Sequence, residues 1–153
     1  ASLAASLTTF SDYSRYETAW PERWEFQMAF RLVGHFREAQ KRGEALSRQQ
    51  VLELETQASE LQLLKLITRL REEHIITTDD DGHWLLARDL EDLTLADLYR
   101  AGDYYLPLGE TDKLPRETAL DEIYVESLDK VRRNSEAIWT RSLRQMYLER
   151  DGG

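Results

Sequence analysis

The chain has no cysteine among its 153 residues, which excludes disulfides, thiolate metal sites and a cysteine nucleophile. Proline and glycine are sparse, three and seven respectively, and the glycines are scattered, so there is no Gly-rich loop to cradle a phosphate. No Gly-x-Ser-x-Gly elbow occurs, and neither an internal repeat nor a low-complexity tract is present. No apolar run approaches the roughly 20 residues that cross a bilayer. Basic charge is also short: 20 Lys and Arg stand against 29 Asp and Glu, a net charge of −9. The deficit is uneven. Residues 1–46 balance six against six, 47–100 carry six basic and twelve acidic groups, and 101–153 carry eight and eleven. The acidic middle third has the wrong sign for a surface that binds phosphates. The opening ASLAASLTTFS is uncharged, has no initiating Met and lacks the basic start of a signal peptide.

Helical and turn signals are plentiful. From Glu22 to Arg42, Trp24, Met28, Leu32 and Phe36 recur every four residues, with Phe26, Phe30 and Val33 as a second stripe. Gln27, Arg31, His35 and Glu38 mark the remaining polar face. So wide an apolar arc predicts a helix packed on more than one side. Pro21 suits its first turn and Gly43 its end. Ser47 with Gln50 forms a capping-box pattern for a short helix, with Val51, Leu52 and Leu54 facing inward. Ser59 with Gln62 opens another, whose core face is Leu61, Leu63, Leu64, Leu66, Ile67 and Leu70. Gln62, Lys65, Arg69 and Glu72 are placed outward.

Ile75–Thr78 reads as a strand, Asp79-Asp80-Asp81-Gly82 as a turn, and His83–Arg88 as the returning strand. Thr94 caps a short helix over 95–101. Residues 103–117 read as an ordered loop, since Tyr104, Tyr105, Leu106 and Leu108 favour burial. Residues 118–149 read as one long helix of more than about 40 Å, with Asn134-Ser135 as its weak point. The fold class expected is mainly α with a small β-hairpin. It is a winged helix-turn-helix over 21–102, with an extra N-terminal helix and a long C-terminal helix.

Four segments carry a family resemblance: WEFQMAFRLVGHFREA (24–39), the helix over 60–74, GHWLLARD (82–89) and LTLADLYRA (93–101). In that order they resemble the C-terminal cytosolic extension of the YihY/BrkB family of bacterial inner-membrane proteins, also labelled ribonuclease BN-like. The likeness runs to about Ala101. It implies a multi-span parent protein, with this domain on the cytoplasmic side of the inner membrane. It also implies that residues 1–20 are a lead-in containing the end of a transmembrane helix. The label implies tRNA processing, but the resemblance carries over no catalytic residue.

Four chemistries compete. Gln62, Lys65 and Arg69 stand where a recognition helix touches nucleic acid, as in a winged-helix transcriptional regulator. Against that, Glu60, Glu72 and Glu73 share the helix and three aspartates tip the wing, each repelling a phosphate by on the order of 1 kcal/mol even in water. His74, Asp79, Asp80, Asp81 and His83 flank one hairpin and suggest a metal or hydrolytic site, yet consecutive aspartates on a turn rarely converge on one ion. Ser47 and Ser59 read as caps rather than nucleophiles. Finally, Trp20, Trp24, Tyr104, Tyr105, Trp139 and Tyr147 exceed what one small core hides, which makes them candidate interface anchors if they are not buried within the chain. The expectation is therefore a non-catalytic accessory or interaction domain with no cofactor and no metal. Its partner is its own membrane part, another protein, or a second copy through the last helix; nucleic acid is disfavoured.

Overall fold

A computed structural model describes residues 20–152; the expectations for residues 1–19 lie outside them. The chain divides into two compact units, one up to Leu106 and one from Pro107.

In the first unit a 3-10 turn, Glu22–Trp24, leads into α1, Glu25–Lys41. Helix α1 is buried almost all round: Phe26, Met28, Leu32 and Phe36 are buried, as expected, but so are Gln27 and Arg31 from the face expected to be polar. Its end is a Schellman motif. Gly43 takes φ +69, the Glu44 amide donates to the Ala39 carbonyl at 2.9 Å and the Gly43 amide to that of Gln40 at 2.9 Å.

Helix α2, Arg48–Leu54, begins with the full capping box of Ser47 and Gln50. Of its expected inward residues only Val51 is fully buried, and Leu54 is exposed because the helix is too short to turn both ends to the core. Helix α3, Glu60–Glu72, is capped by the Ser59 hydroxyl, and Leu63, Leu66, Ile67 and Leu70 are buried; Leu61 is exposed. Each such buried side chain stabilises by about 1.5–3 kcal/mol.

Strands β1, Ile76–Thr78, and β2, Trp84–Leu86, pair antiparallel with Ile76 opposite Leu86 and Thr78 opposite Trp84. Trp84 also exchanges two backbone hydrogen bonds with Leu46, at 2.8 and 2.9 Å, so the segment before α2 adds a third edge to the wing. Trp84 and Leu86 face the core, as the alternation required. Helix α4, Leu95–Gly102, starts with a capping box of Thr94 and Asp97. Gly102 is needed there, since a Cβ would lie 2.1 Å from the Tyr104 ring. That ring stacks on Phe26 at 5.7 Å, and Phe26 also meets Tyr99 at 5.8 Å. The unit is mainly helical with one hairpin, in the helix, helix, wing order of a winged helix-turn-helix.

The second unit begins with a 3-10 turn, Leu108–Glu110, followed by α5, Ala119–Trp139. The cap of α5 is a box in which buried Asp121 accepts amides from Glu117 and Thr118, at 2.9 and 3.1 Å. The single helix expected over 118–149 is two: a separate helix α6 spans Leu143–Gly152. The break falls at Thr140–Ser142, not at Asn134-Ser135, where both residues continue the helix. Ser135 stays within the helix, its hydroxyl bonding back to the Val131 carbonyl at 2.8 Å rather than accepting a backbone amide as a cap. Ser142 breaks the run because its hydroxyl accepts the Gln145 amide at 3.1 Å and so caps a new helix.

Candidate functional site

The polar face of α3 is the place where a winged helix usually meets nucleic acid, and here it is taken up from within. Glu25, at the start of α1, is buried with 5% of its surface exposed. Lys65 Nζ lies 2.9 Å from its Oε2, Gln62 Nε2 donates to the same oxygen at 3.1 Å, and Arg69 Nη1 is 3.9 Å from Oε1. Gln62 Nε2 also donates to the Trp20 carbonyl at 3.0 Å, and the Arg69 guanidinium sits 5.7 Å from the centre of the Tyr104 ring. The three candidate nucleic-acid contacts are thus brought together, but by a carboxylate of their own chain. A buried Glu without such partners would carry a heavy desolvation cost, so these cations are committed to it.

A second buried carboxylate ties α1 to α2. Glu55 follows the last residue of α2; its Oε1 accepts from Arg31 Nη1 at 3.1 Å, and its Oε2 lies 2.7 Å from His35 Nε2. The side chains of Arg31 and Glu55 are only 5% and 6% exposed. The Arg31 guanidinium lies 4.6 Å from the Trp20 ring, whose Nε1 donates to the Trp24 carbonyl at 2.7 Å. His35, placed by its spacing on the polar face of α1, is half-buried in this cluster. Helix α1 therefore grips both helices of the helix-turn-helix through one buried carboxylate each. Neither pair was visible in the sequence, because the partners are 20 to 44 residues apart and no local pattern links them. The only available sign was the polar stripe Gln27, Arg31, His35 on a helix too apolar to have a free side.

The wing has its own accounting. Asp79 Oδ1 accepts the amides of Asp81 and His83, both at 2.9 Å, and Gly82 turns the chain at φ +80. One of the three aspartates is therefore a turn-forming residue, while Asp80 and Asp81 are exposed. His74 is the left-handed residue, φ 57, of a second Schellman motif: the Ile75 amide donates to the Leu70 carbonyl at 2.9 Å and the His74 amide to that of Arg71 at 3.0 Å. Among the described residues no group of three or more His, Cys, Asp or Glu is placed to hold a metal ion.

The candidate anchors divide. Trp20 and Tyr104 are buried at 4% and 5% exposure, which corrects the expectation that they present themselves to a partner. Burial pushes the Tyr104 phenol up to about 12, with Arg69 acting the other way. Trp24 is half-buried, with the Arg23 guanidinium 5.0 Å from its ring centre. Tyr105, Trp139 and Tyr147 are exposed, at 58%, 72% and 64%. In the second unit the Arg132 guanidinium donates to Asp129, at 2.9 Å, and holds that carboxyl below the usual range; Arg133 adds to the effect at 3.2 Å.

No helix among the described residues is long and apolar enough to cross a membrane. No family model and no solved structure matches the chain. Curated proteins do. A UPF0761 membrane protein of Stenotrophomonas maltophilia is 34% identical over 132 residues, covering 86% of this chain and 31% of its own length. A UPF0761 membrane protein of Xanthomonas oryzae pv. oryzae is 28% identical over 152 residues, 99% of this chain and 36% of its own. One from Halorhodospira halophila is 41% identical over 85 residues, 56% of this chain and 19% of its own. The chain is thus homologous to the UPF0761, or YihY/BrkB, membrane proteins, and it spans about a third of the length of the first of these relatives.

Proposed function

We propose that this chain is a cytoplasmic accessory domain of a multi-span bacterial inner-membrane protein, one that makes contacts and carries no chemistry of its own. The observation that carries this reading is the convergence of Gln62, Lys65 and Arg69 on buried Glu25, in a chain homologous to membrane proteins. A nucleic-acid reader needs those cations free for phosphates, and needs a wing that approaches the backbone without carboxylates at its tip. The alternative that the family label implies is tRNA processing. Contact residues are the exposed aromatics Tyr105, Trp139 and Tyr147, and the partner is the protein's own membrane part or another protein.

The absence of cysteine from this chain makes a direct test simple. A single cysteine replaces exposed Asp80 in the full-length protein, on a background without accessible thiols, and a membrane-impermeant maleimide is applied to spheroplasts. Labelling only after permeabilisation is the expected result. Labelling of intact spheroplasts contradicts the cytoplasmic placement.

A further inference from the structure

We draw no further inference here: the strongest candidate, the surface of exposed side chains at the end of α5 and along α6 that includes Trp139, Leu143, Met146 and Tyr147, carries none, because nothing in the structure shows what covers it.

Discussion

The first unit of this chain and the C-terminal stretch of the second, residues 130–152, treat the same residue types in opposite ways. In the first, aromatic and charged side chains turn inward: Trp20, Trp84 and Tyr104 are buried, and so are Glu25, Arg31 and Glu55. In the C-terminal stretch, Trp139 and Tyr147 are exposed, and the arginines pair at the surface or, among the described residues, meet no carboxylate. The difference lies in the connections. Helix α1 has helices and a wing to bury against on several sides, and a buried ion pair there is enforced by what surrounds it. Helix α6 has no buried residue at all. A region with its polar groups neutralised internally is a scaffold, whereas one that leaves rings and cations in water is suited to contact something else.

The comparison breaks first at Glu55. Glu55→Ala leaves Arg31 in a buried site without its carboxylate, and urea denaturation should show a loss of about 3–5 kcal/mol. The double variant Arg31→Met/Glu55→Leu should recover most of that, because an apolar pair of similar volume removes both charges together. A loss below about 1 kcal/mol for Glu55→Ala would mean that the cluster is solvated and the contrast between the units false.

A smaller effect is expected at His74. Its left-handed conformation closes the same motif that Gly43 closes on α1, and a side chain there costs about 1 kcal/mol that glycine does not. His74→Gly should therefore raise stability by about 1 kcal/mol, read as an upward shift in urea midpoint at unchanged slope; a fall would assign the imidazole a role beyond the turn. The smallest effects belong to the second unit. Trp139→Ala and Tyr147→Ala should each change unfolding free energy by less than about 0.5 kcal/mol, because neither ring is buried. A larger loss in either would place these rings in a core and remove them as contact points.

Most of the fold could be read from local chemistry. The caps Ser47, Ser59 and Thr94, the stop at Gly43 and the Asp-Gly turn each act over a few residues, and each appears where its pattern predicts. The division of the last helix was equally local and went unread: Ser142 and Gln145 repeat the spacing of Ser47 with Gln50, but no proline or glycine between 118 and 149 marks a stop. The candidate site was legible only in its membership. Gln62, Lys65 and Arg69 were identified as a group by helical spacing, yet their partner Glu25 belongs to another helix, and a pairing across 37 to 44 residues leaves no trace in a single sequence.

The commitment of those three residues to Glu25 is best tested by titrating the 153-residue chain against duplex and single-stranded nucleic acid at about 50 mM salt, where phosphate contacts are strongest. Wild type should show no saturable binding, and Lys65→Glu and Arg69→Glu should change nothing measurable. Sequence-selective binding by wild type that either substitution abolishes would contradict the account, because it would place those cations on a nucleic acid instead of on the chain's own carboxylate.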